Sequence, residues 1–172
     1  MKVFLCLTTI KSRINNVNLV LNSLIQNYIP ENYSNKIYIN LFISKSPYLI
    51  DEGIASLPDS LQSLIAEVNS ARTPYELSVS YVPNCGPHRK YIYSKLSEDD
   101  ILITIDDDTI YPPNFIDRMI KAVAKHNCVI AMRGRSISLL DYSLAPYRSW
   151  KKTNSSSTPS MFNIGTGKDG IA

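Results

Sequence analysis

Residues 2–8, "KVFLCLT", form a short unbroken apolar run, the pattern of a strand covered on both faces. The period then changes. Ile14, Val17, Val20, Leu21, Leu24, Ile25 and Tyr28 recur at three- and four-residue spacing, which predicts one face of a helix. "KIYINLFIS" (36–44) predicts a second strand, and Ser56-Leu57-Pro58 opens a helix with Leu61, Leu64, Ile65 and Val68 on one stripe. "ELSVSYVP" (76–83) alternates like a third strand, and "DILITI" (100–105) reads as a fourth. Phe115, Ile116, Met119, Ile120, Val123 and Ala124 return to helical spacing. His126-Asn127 suits the end of that helix, where a cation or a residue tolerant of left-handed backbone is favourable. "CVIAMRG" (128–134) predicts a fifth strand. Strands alternating with helices imply parallel pairing through crossovers, so the expected fold class is a layered, mostly parallel α/β sheet with helices on both faces. From Ser149 the periodicity stops, and "SWKKTNSSSTPSMF" reads as a loop ahead of the glycine-rich "NIGTGKDGIA".

Length and composition narrow the class without naming a function. A chain of 172 residues, 44% hydrophobic and 19% charged, suits one ordinary globular domain. The net charge is +3, but it is uneven: from Asp117 to Lys152 there are eight Lys/Arg against two Asp. That surplus could face phosphates, an anionic acceptor, a membrane surface or simply water. Cys6, Cys85 and Cys128 are odd in number and widely spaced, with no C-x-x-C and no clustering with His88 or His126. A disulfide framework and a structural zinc site are therefore not expected, and Cys6 and Cys128 read as small buried thiols in a cytoplasmic protein. No apolar run approaches the ~20 residues of a membrane span, which leaves peripheral attachment at the inner face of a membrane open.

The chemistry concentrates in "ITIDDDTIYPP" (103–113), where an apolar strand runs straight into three aspartates. In open α/β sheets ligands bind beyond the carboxyl ends of the strands, so Asp106, Asp107 and Asp108 fall on the ligand-bearing edge. If the strand continues, Asp106 and Asp108 share a face and Asp107 points elsewhere. Adjacent carboxylates repel and raise at least one pKa, a cost that a hard divalent cation such as Mn2+ or Mg2+ removes. A solvated turn is the plain alternative. Arg13 reads equally as the start of an exposed helix face or as a ligand group. Arg133 and Arg135, flanking Gly134, could contact phosphate or acceptor or form structural ion pairs, and Trp150 reads as a packing residue.

"DDILITIDDDTIYPPNFI" resembles the Asp-x-Asp segment of GT-A glycosyltransferases of the inverting, family-2-like kind. The likeness extends upstream to "LTTIKSRINNVNLVLNSLIQN" and "NCGPHRKYIYSKL" and downstream to "VIAMRGRSISL", "YRSW" and "NIGTGKDGI", covering nearly the whole chain in order. The resemblance implies a Rossmann-like nucleotide-sugar-binding sheet over residues 1–148, and a loop with the start of an incomplete acceptor-side segment over 149–172. It implies that Asp106 and Asp108 hold Mn2+ or Mg2+, with Asp107 near the ribose. Thr8, Thr9 and Arg13 match the end of the first strand, where the base is held. Lys90, with Arg89 as competitor, matches a basic position near the diphosphate.

The implied partners are a nucleotide-sugar donor and a saccharide or other hydroxyl acceptor, in a setting such as bacterial surface-polysaccharide assembly. The catalytic base is expected from the acceptor side. Asp169 is the sole carboxylate of the closing segment, although its Gly-Lys-Asp-Gly setting reads as readily as a turn. The expectations that follow are a truncated enzyme, a chain that borrows its base from a partner chain, or a non-catalytic nucleotide-sugar-binding module. A nucleotidyltransferase would want a glycine-rich phosphate loop after the first strand, and "LTTIKSR" has no glycine. Nucleic acid is not an expected partner, because the cations are not interleaved with aromatics in a recognised module.

Overall fold

In the computed structural model, which describes residues 1–29, 33, 35–153, 160–166 and 170–172, four apolar runs pair side by side. They are β1 (Val3–Thr8), β2 (Ile37–Ile43), β3 (Tyr75–Tyr81) and β4 (Ile101–Thr104). All are parallel, in the order β3-β2-β1-β4, with Val3 opposite both Ile37 and Ile101 and Ile37 opposite Tyr75. That register aligns the odd-numbered residues of every strand on one face. Leu5, Leu7, Ile39, Leu41, Leu77 and Ile103 of this face are buried and belong to one apolar cluster. At about 1.5–3 kcal/mol for each fully buried aliphatic side chain, this face dominates the driving force for folding.

Three helices share that cluster: α1 (Val17–Ile25), entered through a 3-10 turn at Ile14–Asn16, α2 (Asp59–Ser70), and α4 (Phe115–His126), which follows the short α3 (Arg89–Ile92) in the chain. The helical spacing around Ile14 holds, but Tyr28 lies beyond α1 and is exposed. α2 begins after Pro58, with Asp59 in the first turn where the helix dipole favours a negative charge. α4 ends on Asn127 at φ 44°, a left-handed cap whose amide donates to the Val123 carbonyl at 2.8 Å. The even-numbered face is covered differently. α3 (Arg89–Ile92) packs there against β1, β2 and β4, and Cys6 meets Ser94 at 3.2 Å. Cys6 is fully buried as expected, and burial raises its thiol pKa, whereas Cys128 is half-buried in a bend.

Two expectations change downstream. The segment 128–134 is not a fifth strand of the parallel sheet, because the position beside β4 is taken by the closing residues. Ile171 exchanges both hydrogen bonds with Thr104 (2.8 and 3.1 Å), and Ile130 pairs antiparallel with Ala172 on the far side. Gly170 permits this approach: its φ is 112°, and a Cβ would stand 2.7 Å from the Phe115 ring. The stretch after Ser149, read as a loop, contains strands. β5 (Gly134–Ser136) lies between β8 (Lys151–Thr153) and β9 (Asn163–Gly165) in an antiparallel sheet. β6 (Leu139–Leu140) and β7 (Ser143–Leu144) form a separate hairpin. Cross-strand pairs among polar residues carry no period that a helix or buried-strand pattern would expose.

Asn27 ties the core face together. Its side-chain carbonyl accepts the Ile116 amide of α4 at 3.0 Å, its amide donates to the Ser23 carbonyl at 2.8 Å, and its own carbonyl accepts from the Tyr75 hydroxyl at 3.1 Å. Asn27→Ala leaves the buried Ile116 amide without that acceptor. Urea unfolding is expected to show a loss of about 1–3 kcal/mol with little change in m-value.

Candidate functional site

The strand order reverses between β1 and β4: the chain builds outward through β2 and β3, then returns to β1's other side. At such a switch point the loops leaving the two strands part company and open a crevice at the carboxyl edge. Thr8 and Thr9 leave β1 there, and Asp106 to Asp108 leave β4. A cleft at this place is lined by Thr8, Arg13, Pro87, Lys90 and all three aspartates. Thr8, Arg13, Lys90 and the aspartates, separated by up to a hundred residues in sequence, are therefore brought together by the sheet.

The aspartates do not continue the strand. β4 ends at Thr104, Ile105 adds one more ladder bond to the Cys6 carbonyl, and the chain turns at Asp107–Asp108. Face alternation therefore does not sort them, and each takes its own partner. Lys90 is ion-paired with Asp106. Arg13 Nη1 donates to Asp108 at 3.1 Å, and Arg13 Nε lies 3.2 Å from Asp107 without a hydrogen-bond partner among the described residues. Asp107 is the buried member, its side chain 6% exposed and accepting from the Thr9 hydroxyl at 2.6 Å. Burial pushes its pKa up, opposed by Thr9 and Arg13 and reinforced by Asp108. Asp106 is held from behind, its amide donating to the Tyr111 hydroxyl at 2.8 Å. Thr8 lines the cleft while its hydroxyl donates to the Phe42 carbonyl at 2.7 Å.

Arg89 and Lys90 compete in sequence for the same basic position, and the fold separates them. Neighbouring residues on a helix cannot face the same way. Lys90 turns to the cleft, while Arg89, 1% exposed, pairs with Asp51 at 3.0 Å. Asp51, 3% exposed, also accepts from the Asn84 side chain and the Gly53 amide, both at 3.1 Å. Gly53 adopts φ 83°, and a Cβ there would sit 2.2 Å from the Lys45 carbonyl. This buried cluster fixes the start of α3 and hence the position of Lys90. Sequence reasoning missed Asp51 and Tyr111. An acid in the loop after the second strand was the available sign of the first, and nothing in the local pattern marked the second.

The downstream candidates lie elsewhere. The Arg135 guanidinium stacks 4.7 Å from the Tyr147 ring and donates to the Trp150 carbonyl at 3.0 Å. Trp150 packs edge-on against Tyr147, with its indole N–H donating to Ala145. Arg133 is exposed beside β5, and its carbonyl accepts from the Thr166 amide. Asp169 lies outside the described residues.

Among the described residues no three His, Cys, Asp or Glu side chains form a metal-ligand cluster, and no helix is long and apolar enough to cross a membrane. The groups that could hold an ion are the carboxylates of Asp106 and Asp108, with side chains 21% and 55% exposed. Two oxygen donors at an open cleft suit Mg2+ or Mn2+, which take one or two carboxylates and complete the shell with phosphate and water oxygens. They do not suit zinc in a closed structural site.

Sheet order, parallel register and flanking helices define a Rossmann-like fold of the GT-A type, with the cleft at its switch point. The structure of S. aureus TarS 1–349 in complex with UDP is similar, with a TM-score of 0.50 and 18% identity over 76% of this chain. A second structure of S. aureus TarS 1–349 has a TM-score of 0.49 at 16% identity, again over 76% of this chain. The matched region spans 35% of the TarS chain in both cases. No protein-family model matches the sequence, and no curated protein does.

Two measurements follow from the geometry. Asp51→Ala strands the buried Arg89 charge, and denaturant unfolding is expected to report a loss of about 3–5 kcal/mol. A loss no greater than that of an exposed pair contradicts the buried cluster. Asp107, with its pKa raised by burial, favours the protonated fold. Its contribution to stability is complete below the ordinary carboxylate pKa of about 3.9 and is lost as pH rises through the higher folded value. Melting temperatures of wild type and Asp107→Asn, compared between pH 4 and 7, are expected to diverge in favour of the variant as pH rises.

Proposed function

We propose that this chain carries the donor site of a metal-dependent, inverting glycosyltransferase, which moves a sugar from a nucleotide-sugar to an acceptor hydroxyl. The observation that supports this reading best is the meeting of Asp106, Asp107 and Asp108 with Arg13 and Lys90 in one cleft at the β1/β4 switch point. Asp106 and Asp108 are the ligands for Mn2+ or Mg2+. Such an ion, when bound, supplies charge stabilisation to the departing diphosphate.

The chain's own residues do the rest of the binding. Thr8 and Thr9, at the end of β1, border the base and ribose, with Asp107 on the ribose side, while Arg13 in the turn after β1 serves the diphosphate together with Lys90. Lys90 reaches from α3 toward the diphosphate, where a compact ammonium neutralises charge that one divalent ion leaves over. Because TarS was solved with UDP, uridine is the first donor base to test. The acceptor is a saccharide or another hydroxyl compound, and bacterial surface-polysaccharide assembly at the inner face of the membrane is the setting we infer. Attack opposite the diphosphate requires a carboxylate or similar base within hydrogen-bond reach of the acceptor.

A specific observation supports a second reading, nucleotide-sugar binding without transfer. The carboxylates lining the cleft are Asp106, Asp107 and Asp108, which the donor reading assigns to metal and ribose, so among the described residues the cleft offers no further carboxylate to take the acceptor's proton.

Thermal unfolding with UDP, with Mn2+ and with both distinguishes the donor site from a solvated turn. The wild type is expected to melt higher with the pair than the two separate shifts would add up to, since both bind the native state. Asp106→Ala combined with Asp108→Ala is expected to abolish that excess. A double variant that keeps it removes the metal assignment. Release of sugar from UDP-sugars by wild type, and not by Asp108→Ala, separates transfer from binding alone.

A further inference from the structure

Resting on that reading of the cleft, we infer that Lys90 and Arg13 are resident counter-ions of the acidic turn. They neutralise the carboxylates while the site is empty and pass to the diphosphate when metal and nucleotide arrive together. The basis is where the two cations sit. Both reach the aspartates from separate elements, Lys90 from α3 and Arg13 from the turn after β1, and between them they engage all three carboxylates. Asp106 and Asp108, the more exposed of the three carboxylates lining the cleft, are the two assigned to the metal ion.

The charge balance favours the exchange. Three carboxylates against two cations leave the empty cleft with one net negative charge. A divalent ion entering alone must compete with the Lys90 ammonium for Asp106, and it places two positive charges beside Lys90 and Arg13. A diphosphate entering alone meets three carboxylates whose counter-ions are already engaged. When both enter, Asp106 and Asp108 would hold the metal, and the diphosphate would supply new oxyanions for the displaced cations. Like charges a few ångströms apart repel strongly at a partly desolvated site, so these states differ in charge balance.

The geometry of Arg13 fits a group poised to move. Its Nε is buried and 3.2 Å from Asp107, yet the approach gives no hydrogen bond, so the guanidinium divides itself between two carboxylates and satisfies one. A planar fork prefers paired parallel bonds to one oxyanion group, which a phosphate offers and this pair of aspartates does not. Asp107 differs from its neighbours. Held by Thr9 and nearly excluded from solvent, it stays in place as the hub around which the exchange occurs. The buried Arg89–Asp51 pair anchors α3, so Lys90 can swing without the helix moving.

The consequence is an opposite-sign signature. Removing the Lys90 charge is expected to tighten the binding of metal alone, because its competitor for Asp106 is gone, and to weaken the mutual reinforcement between metal and nucleotide. A lysine that served phosphate alone would lower nucleotide affinity and leave metal binding unchanged.

Free Mn2+ measured by electron paramagnetic resonance, in titrations of the full chain with and without UDP, reads both quantities without any need for turnover. Wild type is expected to bind Mn2+ about tenfold or more tightly with UDP present, within the usual range of coupling between sites. Lys90→Met is expected to bind Mn2+ alone severalfold more tightly than wild type and to show a smaller UDP effect. Lys90→Arg, which keeps the charge, is expected to follow wild type. Should Lys90→Met fail to fold by circular dichroism, Lys90→Gln takes its place. Wild-type synergy with unchanged or weaker Mn2+ binding in the uncharged variant overturns the counter-ion role and leaves the donor site standing. Absence of any Mn2+ binding to wild type with UDP present overturns the donor site itself.

Discussion

The site depends on one constraint: β1 and β4 lie side by side, parallel and in fixed register. Val3 opposes Ile101 and Cys6 opposes Thr104, so both strands end at the same edge. The Thr9 hydroxyl can then reach the Asp107 carboxylate across 98 positions of sequence. A slip of one residue would turn every odd-numbered side chain from the apolar cluster to the other face. The register is therefore held by the whole buried core, and the core's burial energy indirectly fixes the distance between Arg13 and the aspartates. Precision at the cleft is inherited from packing elsewhere.

Placing three carboxylates in succession at a partly desolvated edge is unfavourable unless cations are delivered to them. Two tiers of electrostatics achieve this. The deeper tier is Arg89 with Asp51, nearly excluded from water and tied to Asn84 and the Gly53 amide. A buried pair of this kind contributes little net stability over a well-packed apolar pair, but it specifies geometry, because any misplacement leaves a charge uncompensated. The outer tier, Lys90 with Asp106 and Arg13 with Asp107 and Asp108, is more open to solvent and correspondingly easier to rearrange. Rigidity and exchangeability sit one residue apart on the same short helix.

Much of the fold was legible in the sequence because the core is periodic. The apolar runs of β1, β2 and β4 and the stripes of α1, α2 and α4 follow directly from which positions must be buried. The Asn127 cap was legible for a different reason, since few residue types tolerate its backbone. Strand order was not written in any local pattern. Nor was α3, four residues long and without an apolar stripe of its own. The fifth strand was misread because "CVIAMRG" has the right composition, while the pairing position was decided by Ile171 forty residues later. At the cleft, the acidic run was conspicuous, but its internal geometry was not. Alternation assumes a strand, and a turn assigns each aspartate by which cation is nearest.

The two faces of the sheet explain why the closing residues matter to the site. On the odd-numbered face, β1, β2 and β4 are buried throughout, and only Val79 and Tyr81 at the end of β3 open toward solvent. The even-numbered face carries Asn40, Ser78 and Thr104, polar side chains that need partners. Asn40 takes its partners from within the sheet, accepting from Ser78 at 2.8 Å. At Thr104 the exposed edge of β4 would leave backbone groups unpaired two residues before Asp106, and Ile171 pairs them on both counts. The glycine-rich segment is thereby fastened to the strand that bears the acidic turn, with Gly170 against Phe115 allowing no side chain between them. The cleft built from β1 and β4 thus has the last-described residues of the chain as one wall's neighbour. The closing residues are joined to the strand of the acidic turn by backbone hydrogen bonds, which hold a fixed register, rather than by adaptable side-chain contacts.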